Sequence, residues 1–227
     1  MMGSVDRHYH LAQRWFTTKA ELLGLDRLTI ADQYAPIGEG RTVGFAEGID
    51  LVTESFAAFS PRIADVARAF IDQDRVDAEP RSGKRGGAFC SPISRDDGPF
   101  VLLNHTDRMA DVLTIAHEFG HGMHFAFSYA AQTQLSASPG IAVCEIPSTF
   151  AEQITYDHLL ARETDPDTRR ALACERVEAA FATIFRQVVL ARYEQRCYAQ
   201  RAEGTALTPE RLNALVCLTA CRTSETR

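Results

Sequence analysis

The sequence predicts a mainly α fold with one small antiparallel β-hairpin beside a metal-binding helix. Three observations predict it. Apolar residues recur at spacings of three and four along most of the 227 residues, the period of helices buried on one face. Two short runs, Gly87 to Ile93 and Phe100 to Asn104, instead read as strands around the turn Arg95-Asp96-Asp97-Gly98-Pro99. Between the hairpin and the next loop lies His117-Glu118-Phe119-Gly120-His121. Histidines four apart on a helix share one face, one turn apart.

Taken in order, Val5, Tyr9, Ala12, Phe16, Ala20 and Leu23 mark a helix over residues 5 to 23, stopped by Gly24. Pro36, Gly38, Gly40 and Gly44 mark loop. Phe45, Ile49, Val52, Phe56 and Phe59 form the apolar stripe of a second helix. Ser60-Pro61 opens a third as cap and first residue, with Ile63, Val66, Ala67 and Phe70 inward. Asp72 to Gly87 is polar and loop-like. Its Lys84-Arg85-Gly86-Gly87 lacks the pattern of a phosphate-binding loop. Thr106 is the expected cap of the metal helix, Asp107 to about Tyr129, with Met109, Val112, Leu113, Ala116, Gly120 and Met123 on its core side. A second site helix is expected to begin near Glu145, because Pro147 fits a first turn. Asp165-Pro166 starts a long helix to about Glu203, with Phe181, Ile184, Phe185, Val188, Val189 and Tyr193 inward, and Thr208-Pro209 starts a last one.

The chemistry rests on His117 and His121 as ligands of one metal ion, with Glu118 placed to act on a metal-activated water as general base. A hydrolytic zinc site takes a third protein ligand and keeps one position open. Glu145, 24 positions after His121, is the expected third ligand: the Pro- and Gly-containing stretch between them lets a second helix return beside the first. His124 is the rival. It lies seven positions from His117, about 10.5 Å along a helix, too far for both to reach an ion about 2 Å from each ligand. His124 is therefore expected to pack, or to support a ligand. Glu152, two turns beyond Glu145, either orients a ligand imidazole or is a solvated carboxylate. Asp111 is a weaker candidate for such a role. Asn104 and His105 are expected in loop or capping roles, with contact to substrate as the alternative.

Composition sets the outer bounds. Hydrophobic residues make up 45% of the chain, too many for a disordered protein. No apolar run approaches the 18 or so residues of a membrane span. The net charge of −6 gives no footprint for nucleic acid. Met1 to His10 lacks the apolar core of a signal peptide, and the expected location is the cytoplasm. The six cysteines form no CxxC pair and read as free thiols. Cys144, beside Glu145, reads as a small packed residue rather than a nucleophile. No repeat or interdomain linker is visible, so residues 1–227 are expected to form a single domain.

His117-Glu118-Phe119-Gly120-His121-Gly122-Met123-His124, followed by Cys144-Glu145-Ile146-Pro147-Ser148-Thr149-Phe150, resembles the oligoendopeptidase F and thimet oligopeptidase family of zinc metallopeptidases. So do Gly83-Lys84-Arg85-Gly86-Gly87-Ala88-Phe89 and Pro99 to Asn104. The resemblance runs over roughly residues 5 to 212. It implies a zincin-like helical catalytic region with one Zn2+ held by His117, His121 and Glu145, with Glu118 as the base. It implies short peptide substrates, and a hairpin edge at Gly87, Ala88 and Phe89 that holds an extended peptide. Family members are longer, with a further helical wall to the cleft and a later segment of His and Tyr residues. Leu215 to Arg227 does not resemble that segment. The expectation is a truncated catalytic region with an atypical tail of the kind a shifted reading frame produces, whose open cleft favours self-association or a complementing chain. Two other readings stay open: a non-catalytic zinc-binding fragment that needs a partner, and a helical interaction protein with a chance motif.

Overall fold

The structure is a computed structural model that describes residues 2–29, 31–38 and 41–222. In chain order the described elements are α1 (Met2–Asp6), α2 (Tyr9–Leu23), a 3-10 turn (Ala31–Tyr34), α3 (Phe45–Phe59), α4 (Pro61–Asp72), β1 (Val76–Asp77), β2 (Phe89–Pro92), β3 (Pro99–Leu102), α5 (Met109–Ala131), α6 (Ile141–Arg162), α7 (Pro166–Phe181), a π-helical turn (Ala182–Arg186), α8 (Gln187–Ala202) and α9 (Pro209–Arg222). The chain forms two compact units, Gly40–Arg169 and the paired segments Met1–Glu39 and Arg170–Arg227. The fold is mainly α, as the periodicity predicts.

In the Gly40–Arg169 unit, α3, α4 and α6 pack around α5. The apolar stripe of α3 places Val52 and Phe56 in the core, but Phe59 stays largely exposed and meets the ring of Phe150 edge-on. A buried hydrogen bond of 2.8 Å between the hydroxyls of Ser55 and Thr155 joins α3 to α6. Pro61 opens α4 after an extended Ser60. Ala64, Ala67 and Phe70 are its buried residues, with Ile63 and Val66 only partly covered.

The sheet has three strands in the order β1-β3-β2. β2 and β3 are antiparallel, pairing Phe89 with Leu102 through Pro92 with Pro99. The expected hairpin is present but shorter. Gly87 takes a left-handed φ of 80°, and the Asn104 side-chain amide turns back to the carbonyls of Arg85 and Gly87 at 2.9 and 2.8 Å. These features keep Gly87, Ala88 and Asn104 out of the ladder. The stretch expected to be loop contains β1, parallel to β3 with Val76 opposite Val101. Lys84, 2% exposed at its side chain, donates to the Asp77 carbonyl and carboxylate and to the Glu79 carbonyl at 2.9–3.0 Å.

Two helix starts differ from expectation. Thr106 does not cap α5. The Asp111 carboxylate, at the third helical position, accepts from the Arg108 amide at 3.1 Å and from the Thr106 amide and hydroxyl at 2.7 and 2.9 Å. An acidic residue there satisfies backbone donors that lack helical partners. α6 begins four residues before Glu145, after an extended Gly140 whose carbonyl accepts from the amides of Val143 and Cys144. Pro147 thus sits inside α6, where it leaves the Val143 carbonyl without its usual helical donor.

In the other unit, Gly24 takes φ 68° and closes α2. Tyr9, Ala12, Lys19 and Ala20 are buried on α2. Lys19 is fully buried, and its ammonium reaches the Gln33 carbonyl at 2.8 Å and the Glu178 carboxylate. The long helix expected from Pro166 to Glu203 is instead α7 and α8 joined by the π-helical turn. Ala171, Leu172, Cys174 and Val188 are its buried residues, whereas Ile184 is exposed. The five cysteines with described side chains are free.

Gly120 sets the approach of α5 to α6. A Cβ there would lie 2.6 Å from the Pro147 carbonyl oxygen, 2.7 Å from Ser148 Cα and 2.9 Å from Ala151 Cβ. Two of these atoms are backbone and cannot yield without moving a helix. Gly120→Ala is expected to destabilise the chain by about 1–3 kcal/mol, read as a lower urea midpoint. Gly86→Ala, where a Cβ meets nothing within 4 Å, should stay within about 0.5 kcal/mol. Equal midpoints for the two variants would exclude close contact at Gly120.

Candidate metal centre

The site forms where the middle of α5 faces the first half of α6. His117 and His121 stand one turn apart on α5, and Glu145 and Glu152 stand two turns apart on α6. His117 Nε2 lies 3.1 Å from His121 Nε2, and each of these nitrogens lies 3.5 Å from Glu145 Oε2. Bonds of about 2.0–2.1 Å at tetrahedral angles separate two ligands by about 3.3–3.4 Å. The triangle of two nitrogens and one carboxylate oxygen therefore fits a single divalent ion, with a fourth direction left over. Among the described residues these three form the only group of metal-binding side chains so converged.

Neighbouring groups orient each donor. His117 Nδ1 sits 2.5 Å from Glu152 Oε1. A carboxylate there holds the proton on Nδ1 and leaves the Nε2 lone pair for the metal. His121 Nδ1 faces Cys144, whose Sγ is 3.4 Å away. Ser148, fully buried, donates from its hydroxyl to Glu145 Oε2 at 2.8 Å. Burial lowers the His117 pKa, but the hydrogen bond and charge of Glu152 outweigh it, so the pKa is raised overall. Burial lowers that of His121, and His117 adds in the same direction.

Glu118 is buried beside these groups, and its Oε2 has no hydrogen-bond partner. Burial pushes its pKa up to about 7, with Glu145 adding, while His117 and the backbone of Cys90 oppose the rise. The Cys90 contact has a structural origin. The Val101 amide donates to the Arg75 carbonyl on the β1 side, so Cys90 and Val101 form the pair that exchanges no hydrogen bonds. The Cys90 amide therefore points out of the free edge of β2, where it meets Glu118.

The sequence matches peptidase family M3 over residues 45–221. The chain belongs to this family. It is 32% identical over 216 residues to an oligoendopeptidase F homolog of Lactococcus lactis subsp. lactis, covering 95% of this chain and 36% of that protein. It is 28% identical over 214 residues to oligopeptidase PepF of Bacillus subtilis, covering 93% and 32%. The chain thus spans about a third of the length of the curated relatives it matches. Among solved structures, PZ peptidase A with inhibitor 2 superimposes with a TM-score of 0.84 at 19% identity, over 100% of this chain and 40% of that one. Oligoendopeptidase-F from Enterococcus faecium gives 0.56 at 22%, over 95% and 32%. These two likenesses concern the fold.

Within this M3 region the remaining candidate residues fall into place by geometry. His124 makes no described hydrogen bond to either histidine; its Nδ1 is buried without a partner and its ring stacks on Phe125. Asp111 caps α5 and lies outside the cluster. Gly87 and Ala88 precede β2, and Phe89 begins it, 36% exposed. Ser148, Cys144 and the Cys90 amide are the contacts that sequence reasoning missed. Only Ser148 carries a signal, its place one helical turn after Glu145. No described helix is long and apolar enough to cross a membrane.

Removing the carboxylate behind His117 in Glu152→Ala is expected to weaken Zn2+ binding about 10- to 100-fold, measured by competition with a chromogenic chelator. Unchanged affinity would make Glu152 irrelevant to the metal. The thiols give a second check on the site's packing. Burial pushes the Cys90 pKa up to about 12 and raises that of Cys144, whereas Cys217 is exposed. At about pH 8, iodoacetamide should label Cys217 at least about tenfold faster than Cys90, read by peptide mass spectrometry. Equal labelling would mean that Cys90 is not held under the hairpin.

Proposed function

We propose that the chain is the catalytic region of a zinc-dependent oligoendopeptidase that hydrolyses short peptides. The observation that carries this reading is the donor triangle of His117, His121 and Glu145 with the buried, unpartnered carboxylate of Glu118 beside it. Membership of the M3 family, and relatives named as oligopeptidases, support it.

Bound Zn2+ supplies a Lewis acid for the scissile carbonyl and makes water acidic enough to attack at neutral pH. His117, His121 and Glu145 hold the ion, and Glu152, Cys144 and Ser148 keep their donor atoms aimed. Glu118 takes the proton from the attacking water at its free carboxylate oxygen and passes it to the leaving amine. The peptide lies extended along the free edge of β2, beside Gly87, Ala88 and Phe89, where backbone pairing holds it by strand addition.

Glu118→Gln keeps size and removes the proton acceptor. Turnover of a quenched peptide by the zinc-loaded chain is expected to fall about 10²–10⁴-fold, with one zinc per chain retained in parent and variant. Chelation should abolish the parent's turnover, and added zinc should restore it. Loss of zinc in Glu118→Gln would make Glu118 a ligand or a structural residue. Stoichiometric zinc with no turnover in the parent would favour a non-catalytic metal-binding region, and no bound zinc a helical interaction protein.

A further inference from the structure

One cation on the hairpin is held in place but unused. Phe89 pairs with Leu102 and Ser91 with Phe100, so these four side chains share one face of the sheet. Phe89 and Phe100 are 36% and 40% exposed, which makes this the outer face. The opposite face carries buried Val101, and Cys90 packs against Phe125, Tyr129 and Ala137. On the outer face the Arg85 guanidinium lies 5.4 Å from the centre of the Phe89 ring. Its backbone is fixed on both sides. Asn104 holds the Arg85 and Gly87 carbonyls, and neighbouring Lys84 is tied to Asp77 and Glu79. Asp77 is already engaged by Lys84 and by both terminal nitrogens of Arg81, each at 2.7 Å. Among the described residues Arg85 is exposed and has no carboxylate partner.

We infer that Arg85, seated on Phe89, selects peptides with an acidic side chain at the position that lies beside Phe89. The inference rests on the proposed strand addition to β2. In an added strand, hydrogen bonds run through backbone groups that point outward, such as the Cys90 carbonyl, and side chains alternate between the two faces. The peptide residue opposite Phe89 therefore presents its side chain on the outer face, with its Cβ about 4.5–5.5 Å from that of Phe89. A carboxylate one or two bonds further out meets the guanidinium, which binds carboxylates through paired N–H groups. A C-terminal carboxylate lies in the line of the peptide backbone, away from that face. The aromatic ring beneath Arg85 also restricts its motion, so less side-chain freedom is lost on pairing.

The test uses the full chain as its zinc-loaded Glu118→Gln variant, which holds peptides without turnover. Fluorescent, C-terminally amidated peptides carry a single Glu moved stepwise through a neutral sequence, with a matched Gln series, and binding is read by anisotropy. The expected result is about three- to tenfold tighter binding of Glu over Gln at one position, or at positions two apart. The advantage should vanish on adding Arg85→Gln and shrink in about 1 M salt. Peptide binding with no Arg85-dependent preference would overturn the inference and leave the peptidase reading standing. An Arg85-dependent gain that follows a free C-terminus instead of the Glu position would overturn the side-chain assignment. Binding of no peptide at all would overturn strand addition, and the inference with it.

Discussion

The close approach of α5 and α6 at Gly120 is the constraint on which the site depends. His117 and His121 flank that glycine at −3 and +1, and Glu145 and Glu152 flank the Pro147–Ser148 backbone that presses on it. The two helices must touch backbone to backbone for a pair of imidazoles and a carboxylate to close a triangle of 3.1–3.5 Å. A larger side chain at the crossing would move every donor of one helix relative to the other. Gly122 plays the same part on the other side of α5, where a Cβ would sit 2.6 Å from the Phe70 ring. Phe70 in turn packs edge-on against Phe119. α5 is therefore wedged from two sides within a single turn, which suits a site whose geometry must be held closely.

Electrostatics pulls against that packing. Glu118, Glu145 and Glu152 crowd around two imidazoles of which only one has its pKa raised. The buried carboxylate of Glu118 answers by keeping its proton to about pH 7, and His117 answers by holding its proton more tightly. Each is a compromise made by groups forced together in a place short of water. A divalent ion between the donors would oppose both: it would compete with the proton on His117 and favour the charged form of Glu118. The donors are already aimed by Glu152, Ser148 and Cys144, so ion binding need not order them.

What the sequence made legible was what period and spacing encode. Helical periodicity located α3, α4, α5 and the long run after Pro166, and the HExxH spacing placed two nitrogens on one face. The 24-residue step to Glu145 left room for a returning helix, which is the geometry found. The misread features depend on contacts that no local pattern carries. Pro147 suggested a helix start because the usual penalty for an interior proline was assumed. At this position the Thr149 hydroxyl donates to the Glu145 carbonyl at 2.7 Å, which helps to hold the turn. Thr106 looked like a cap, yet Asp111 collects the donors from five residues away. Lys19 carries no local signal for its burial, which depends on Glu178, distant in sequence. β1 is two residues long, too short to register as a strand without its partner β3.

The sheet, small as it is, ties these levels together. Its middle strand β3 takes β1 on one side and β2 on the other, which leaves one edge of β2 free. Residues of β2 whose amides point away from β3 must find partners elsewhere or stay with water, because buried backbone donors are costly to leave unmet. The Cys90 amide lies on the Glu118 side and helps to hold down the pKa of that carboxylate. Alternation along the same strand then fixes which side chains face α5 and which face solvent. Cys90 goes inward to the Phe125 and Tyr129 cluster, and Phe89 goes outward beneath Arg85. A slip of one residue would reverse both, exposing the thiol and withdrawing the amide from Glu118. Gly87 with its left-handed φ and Asn104 with its two carbonyl contacts stand at the entry to β2. They hold the register that keeps Cys90 inward and Phe89 on the open face.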